Sequence, residues 1–160
     1  IIYYAGNGFY DKEFDDGYWV PVDARMEFET DYLSNLRLLK YLKKLSTRHT
    51  LLVADACFSG SLFVDEKYMS FQPNNDTIPS RWGLSSGNME TVADGTPGQN
   101  SPFAQSFIQC LMENQREALP VSELIYYVKF QVKNKTKQTP IGRPLKMDEN
   151  KGGEFILYKN

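Results

Sequence analysis

Two short segments of this sequence carry the residues best suited to chemistry. Residues 3–8 read Tyr-Tyr-Ala-Gly-Asn-Gly, and residues 52–60 read Leu-Val-Ala-Asp-Ala-Cys-Phe-Ser-Gly. In each segment a polar side chain follows an apolar run that is typical of a buried strand. The thiol of Cys57 is a candidate nucleophile, and Asn7 holds the corresponding place in the first segment, where a catalytic base would be needed.

The nature of residue 7 decides whether such a thiol can be activated. A free cysteine has a pKa of about 8.5, so only a few per cent is thiolate at neutral pH. A neighbouring imidazole accepts the thiol proton and later protonates the leaving amine. The amide of Asn7 does not titrate near neutrality and can do neither.

His49 is the only histidine of the chain and therefore the only alternative imidazole. It precedes the strand that Cys57 follows, and five or six strand residues at about 3.3 Å each place it more than about 10 Å away. We therefore reject His49 as the base. Its simplest interpretation is a solvated residue at the end of a helix, where a cation is favoured.

Both candidate residues also have purely structural interpretations. A free cysteine behaves as a small hydrophobe, and this is how we interpret Cys110, which follows Phe107 by three residues on an apolar helix face. Cys57 lies instead in a loop with serine and glycine, which favours the nucleophile. The pair Asn7-Gly8 is a common hairpin turn, but the acidic sequence after it predicts a loop rather than a pairing strand.

The elements that must position these residues follow from hydrophobic periodicity and capping signals. The predicted strands cover residues 1–5, 51–54, 82–86 and 154–158, with an extended piece over 18–22. The predicted loops cover residues 6–17, 58–81 and 87–99. The predicted helices start at Asp31 with Thr30 as cap, after Ser101 as cap with Pro102 in the first turn, and at about Val121, running to Lys133.

Strands that alternate with helices predict an α/β fold with a mostly parallel sheet and helices on both faces. Functional groups in such sheets lie beyond the carboxyl ends of the strands. Asn7 and Cys57 each come just after a predicted strand, so they are expected at one edge. The chain has 160 residues, and we expect one domain over 1–160.

The composition limits the classes of partner and compartment. A net charge of -2 gives no electrostatic argument for nucleic acid or for an anionic membrane, and no apolar run is long enough to span a bilayer. Two cysteines make a disulfide framework unexpected and favour a reducing, cytoplasmic setting. Because the chain begins within a predicted core strand, we expect an upstream segment or a second chain to complete the domain.

The two segments resemble the caspase-like cysteine peptidases, in particular the bacterial and metacaspase-type members. Residues 3–8 match the strand end that carries the histidine of that family except at Asn7, and residues 55–60 match the strand end that carries its cysteine. The separation of about 50 residues also agrees with the family. Further similar stretches are residues 17–24, 84–87, 90–95, 101–104 and 152–155.

The resemblance implies a caspase-like three-layer sandwich, with strands that precede the histidine strand missing from this chain. It also implies that Cys57 is the nucleophile and that Asn7 occupies the position of the general base. The backbone N–H groups of Gly8 and Cys57 would form the oxyanion hole.

By the same resemblance, Asp55 would lie in the primary specificity pocket, with Ser86 and Asp94 as further pocket residues. A carboxylate there favours a cationic side chain, best of all the planar fork of arginine. The expected partner is a protein or peptide substrate with Arg or Lys before the scissile bond. The structural alternative for Asp55 is a carboxylate that caps a loop.

No cofactor or metal is required by these residues. The acidic loop Asp11–Asp16 is a weak candidate for calcium, since some metacaspase-type relatives need it, but its spacing matches no calcium-loop motif and a solvated loop is the simpler interpretation.

Three explanations of Asn7 stay open at this point. The first is an endopeptidase whose histidine was replaced to trap an uncut state, so that this chain is inactive or strongly impaired. The second is a natural pseudopeptidase that serves as a binding or regulatory scaffold. The third is a base supplied by a neighbouring chain or by an upstream segment.

Overall fold

The computed structural model describes residues 1–25, 28–56, 62–87 and 98–159. Its strands are β1 (Ile2–Ala5), β2 (Asn7–Asp11), β3 (Asp16–Val20), β4 (Leu33–Ser34), β5 (His49–Asp55), β6 (Ser80–Ser85), β7 (Ala118–Pro120), β8 (Ile141–Pro144) and β9 (Ile156–Tyr158). Its α-helices are α1 (Asn35–Lys43), α2 (Pro102–Glu113) and α3 (Val121–Lys135). Short 3-10 turns cover Glu29–Asp31 and Glu66–Tyr68.

The central sheet has the strand order β1-β5-β6-β8. The first three strands are parallel, and β8 is antiparallel to β6. Every residue of β1 lies opposite the residue fifty positions later in β5, from Ile2 opposite Leu52 to Ala5 opposite Asp55. The carboxyl ends of these two strands therefore lie side by side, as the sequence predicted.

Hydrophobic cores cover both faces of this sheet. Alternate residues of a strand point to opposite faces, and Leu51 and Val53 pack into a cluster with α2 and α3. Their neighbours Leu52 and Ala54 pack into a second cluster that includes Leu42 of α1. The predicted α/β fold, with a mostly parallel sheet and helices on both faces, is confirmed.

The predicted loop over residues 6–17 is wrong, because most of it forms a β-hairpin. Strand β2 pairs antiparallel with β3, from Asn7 opposite Val20 to Asp11 opposite Asp16. The turn lies beyond Asp11, whose Oδ1 accepts the amides of Glu13 and Phe14 at 2.8 and 3.3 Å. The hairpin is held down by Trp19, which is buried in the second cluster.

The first helix starts later than predicted. It begins at Asn35, and Ser34 rather than Thr30 is the cap, with its Oγ accepting from the amide of Arg37 at 3.2 Å. The two residues before it, Leu33 and Ser34, form strand β4 and pair with β3. Tyr32 packs against aromatic rings of the hairpin instead of lying on a helix.

The other two helices begin where the sequence predicted. Ser101 caps α2, and its Oγ accepts from the amide of Ala104 at 2.9 Å. Cys110 is buried on the core side of α2, which confirms its structural interpretation. Helix α3 has no cap of its own, since Pro120 makes no side-chain hydrogen bond there.

A distant carboxylate takes the place of that missing cap. Glu154 is fully buried, and its Oε1 accepts from the amide of Ser122 at 3.0 Å in the first turn of α3. Its Oε2 accepts from the amide of Asn74 at 2.6 Å. A negative charge at a helix N-terminus is stabilised by the helix dipole, so Glu154 joins α3, a loop and the C-terminal segment.

His49 does not lie at the end of a helix, and that prediction is wrong. It is the first residue of β5 and is partly buried. Its Nδ1 is 2.8 Å from Ser80 Oγ, and its Nε2 is 2.8 Å from the carbonyl oxygen of Asp76. These contacts fix the ring at the amino end of β5, on the side of the sheet away from the carboxyl ends of β1 and β5. His49 is therefore too far from these ends to act as the base, as the sequence predicted.

Candidate active site

Residue 7 is held through its backbone. The hydroxyl of Tyr4 is shared between the carbonyl oxygens of Asn7, at 2.8 Å, and Val20, at 3.1 Å. Gly6 makes room for this tyrosine, because a Cβ on Gly6 would lie 2.7 Å from the Tyr4 hydroxyl oxygen. The amide of Gly6 donates to the carbonyl of Asp55 at 3.4 Å, which extends the β1–β5 pairing by one step.

The side chain of Asn7 points outward from this fixed backbone. It is exposed and forms no hydrogen bond with another residue that the structure describes. Gly8 is the next residue of β2, is partly buried, and lies opposite Trp19 in the hairpin register. The position that would carry a base is thus open to solvent, and the predicted oxyanion residue Gly8 belongs to an ordered strand.

Asp55 is the last residue of β5 and is partly buried beside the N-terminus of α2. Its carboxylate accepts a hydrogen bond from the hydroxyl of Ser101, the residue that caps α2. The positive end of the helix dipole favours a negative charge at this place. Burial, and next the charge of Asp55, raise the pKa of Tyr3 to about 12, so the carboxylate also acts on β1.

The end of β6 holds the backbone just before the candidate nucleophile. Ser86 is fully buried, its amide donates to the carbonyl of Ala54 at 2.9 Å, and its hydroxyl lies 3.4 Å from the carbonyl oxygen of Ala56. The hydroxyl of Ser85 lies 3.3 Å from the same oxygen and 2.9 Å from that of Gly87. That oxygen belongs to the planar peptide group that joins residue 56 to residue 57.

The structure therefore places three of the predicted positions, residues 7, 55 and 86, at or just beyond the carboxyl ends of the neighbouring strands β1, β5 and β6. Cys57 and Asp94 lie outside the described residues. Sequence reasoning missed Ser85 and Ser101 as residues of this site. Ser101 carries a local cap signal, but nothing local indicates that a cap serine also contacts a carboxylate 46 residues earlier.

Among the described residues, no three His, Cys, Asp or Glu side chains converge in a way that could hold a metal ion. The carboxylates of the hairpin turn contact their own surroundings, with Asp11 bound to turn amides and Asp15 to the hydroxyl of Tyr10. None of the helices described is both long and apolar enough to cross a bilayer.

Comparison with known proteins agrees with this geometry. The sequence model of the caspase domain family matches residues 1–147. A search of curated proteins gave no match. Strand ends that bring positions 7, 55 and 86 to one edge of the sheet, together with a match over most of the chain, show that this chain belongs to the caspase domain family of cysteine peptidases.

Proposed function

We propose that this domain is a cysteine endopeptidase of metacaspase type that cleaves after Arg or Lys in its active form, and that Asn7 leaves this chain inactive or strongly impaired. Cys57 is the proposed nucleophile, and residue 7 is the position of its base. The N–H groups of Gly8 and Cys57 are the proposed oxyanion hole. Asp55, Ser86 and Asp94 are the proposed specificity residues.

The observation that carries this proposal is the register of β1 against β5. Each residue of β1 lies opposite the residue fifty positions later, and Asn7 and Cys57 are separated by the same fifty positions in the sequence. A base and a nucleophile must come within hydrogen-bond reach of each other. Ala5 lies opposite Asp55, two residues before Asn7 and Cys57 respectively, and neighbouring strands lie about 4.8 Å apart, so this strand pairing supports such a pair.

The replacement of the base by Asn7 changes a side chain whose backbone is held independently of it. The backbone of residue 7 is bound by Tyr4 through a carbonyl oxygen, a contact that does not depend on the side chain at position 7. An imidazole at this position would therefore meet a backbone that is already in place. Loss of a general base typically lowers the rate by about 10²–10⁴.

The proposed preference for Arg or Lys rests on the charge and fixation of Asp55. The hydroxyl of Ser101 donates to the carboxylate, and the N-terminus of α2 favours a negative charge beside it. A carboxylate that is already oriented can bind a guanidinium with little further ordering. The expected partners are protein or peptide substrates, and the two cysteines support a cytoplasmic location.

The test is to replace Asn7→His in the full-length protein and to assay peptides that differ only in Arg, Lys or Asp before the scissile bond. We expect the rate with the Arg and Lys peptides to rise by about 10²-fold or more, with no gain for Asp. The variant Asn7→His/Cys57→Ser is the control and should abolish that gain. An unchanged rate in the Asn7→His protein would sink the proposal.

Specificity is tested in the same active background with Asp55→Asn. Asparagine keeps an oxygen that can accept from Ser101 but removes the charge. We expect kcat/KM for the Arg peptide to fall by about tenfold or more. The control is Asp148→Asn, which removes a charge at an exposed carboxylate. Equal losses in the two variants would count against Asp55 as the specificity residue.

A further inference from the structure

The β2–β3 hairpin has one face in the core and one face in solvent. Tyr10 and Trp19 point inward and pack against the second core cluster. The outward side chains alternate with them along both strands. They are Asn7, Phe9, Asp11, Asp16, Tyr18 and Val20.

Aromatic rings occupy the middle of this outer face. Phe9 lies opposite Tyr18 in the register, and their ring centroids are 6.0 Å apart. Tyr32, which precedes β4, completes the group at 6.4 Å from Phe9 and 6.5 Å from Tyr18. Phe9 stays 41% exposed, so the packing leaves an aromatic surface open to a partner.

Carboxylates lie next to these rings. Asp11 and Asp16 are opposite each other at the turn end of the same outer face, and the pKa of Tyr18 is raised by burial and then by the negative charges of Asp16, Asp11 and Glu29. The exposed cations Arg25 and Lys67 lie over other rings. Among the described residues, no cation lies over Phe9 or Tyr18.

The residue roles in the proposed function, on which this step rests, indicate which part of the substrate the hairpin lies along. The base at position 7 must meet the leaving amine, whereas Asp55 receives the residue before the scissile bond. The hairpin therefore runs away from residue 7 along the part of the substrate that follows the bond. From residue 7 to residue 11 the strand spans about 13 Å, the length of about four extended residues.

We propose that this outer face, defined by Phe9, Asp11, Tyr18 and Glu29 and called here the hairpin face, binds a basic segment of the substrate, with Arg or Lys about three or four residues after the scissile bond. An aromatic ring attracts a cation over its face, and the carboxylates add long-range attraction for the same charge. The occupant is a cationic peptide segment, because rings and carboxylates together favour it over an apolar or acidic one.

The test measures binding to the chain as it stands, with Asn7, so that cleavage does not interfere. The probe is the fluorescently labelled peptide Gly-Ser-Gly-Arg-Lys-Gly. Its binding is measured by fluorescence anisotropy in the presence of a metal chelator. A peptide with Glu in place of both basic residues should bind at least about tenfold more weakly. Equal binding of the two peptides would overturn the proposal.

The hairpin face is then separated from the Asp55 site by paired variants. In Asp11→Asn/Glu29→Gln the turn keeps its Oδ1 acceptor while two charges are removed, and we expect roughly a fivefold or larger increase in Kd. The matched control Asp148→Asn/Glu66→Gln also removes two exposed charges and should change Kd by less than about twofold. Phe9→Leu keeps apolar area but removes the ring, and should weaken binding by about twofold or more.

The variant Asp55→Asn makes the outcomes distinguishable. Retained binding in Asp55→Asn, with loss in the hairpin variants, supports the hairpin face. Loss in Asp55→Asn alone would overturn the hairpin face and leave the proposed peptidase function standing. Failure of Asn7→His to gain activity, with hairpin-dependent binding intact, would instead count against the peptidase function.

Discussion

The hydroxyl of Tyr4 lies 2.8 Å from the carbonyl oxygen of Asn7, so a side chain of β1 binds the first residue of β2. The same hydroxyl is 3.1 Å from the carbonyl oxygen of Val20, at the end of β3. The Tyr4 ring packs on Trp19 with a centroid distance of 4.6 Å. One tyrosine thus connects the central sheet to both strands of the hairpin.

Tyr4→Phe should destabilise the protein by about 0.5–1.5 kcal/mol, because it removes this hydrogen bond and keeps the ring. Urea denaturation measures the change in the free energy of unfolding. In the Asn7→His background the same substitution should lower kcat, since the backbone of residue 7 loses its tie. Tyr41→Phe, at an exposed tyrosine of α1, is the control and should change stability by less than about 0.5 kcal/mol.

Glu154→Gln should cost about 2–4 kcal/mol of stability. The carboxylate accepts two backbone amides from a fully buried position, and glutamine places an NH₂ donor against one of those donors. Thermal and urea unfolding give the change. Glu117→Gln makes the same chemical substitution at an exposed residue and should be nearly neutral; a comparable loss there would contradict the assigned role of Glu154.

The raised pKa of Tyr3 predicts that the stability of the folded protein falls at alkaline pH. Its pKa in the folded protein is about 12, against an ordinary value of 10.0, so folding favours the protonated, neutral phenol. This contribution is fully present below pH 10 and is lost as the pH rises through about 12. Tyr3→Phe should therefore make the decline in Tm between pH 10 and pH 12 shallower. Tyr126→Phe, at an exposed tyrosine, should leave the slope unchanged, and equal slopes in all three proteins would refute the prediction.

Cys110 should be a slow thiol in the native protein. Burial, and next the charge of Glu113, raise its pKa, so less thiolate is present at any given pH and access is restricted. In a Cys57→Ser protein, alkylation by iodoacetamide at pH 8 should be at least about tenfold slower than after unfolding in urea. Fast native labelling of Cys110 would be the contrary result, and Cys110→Ser is the companion variant for comparison.

The sequence predicted the central strands well because their signals are local. The apolar runs that form β1, β5 and β6, and the cap at Ser101, need no knowledge of the rest of the chain. Once these strands are parallel, their carboxyl ends share an edge, and the site positions 7 and 55 follow. This is why positions 7 and 55 could be assigned to one edge of the sheet from the sequence, although the hairpin beside them was missed.

The missed elements depend on partners distant in sequence. The outer face of the hairpin carries Phe9 and Tyr18, so the usual polar and apolar alternation is hidden and residues 6–17 were predicted as a loop. Strands β7 and β8 each end in proline and are short, and proline argues against a strand in local reasoning. The contact of Glu154 with α3 spans 32 residues and leaves no local pattern.

The fifty-residue register between β1 and β5 also bears on how this domain can diverge. Changes of length in the connection between β3 and β4, or between α1 and β5, alter the number of residues between positions 7 and 57 but not which strand ends are neighbours. A slip of one residue within the β1–β5 pairing, by contrast, would turn the side chains of the edge strand β1 to the opposite faces of the sheet and shift residue 7 relative to Asp55. The lengths of these connections can therefore change during evolution, whereas the β1–β5 pairing has to stay the same for the site to be kept.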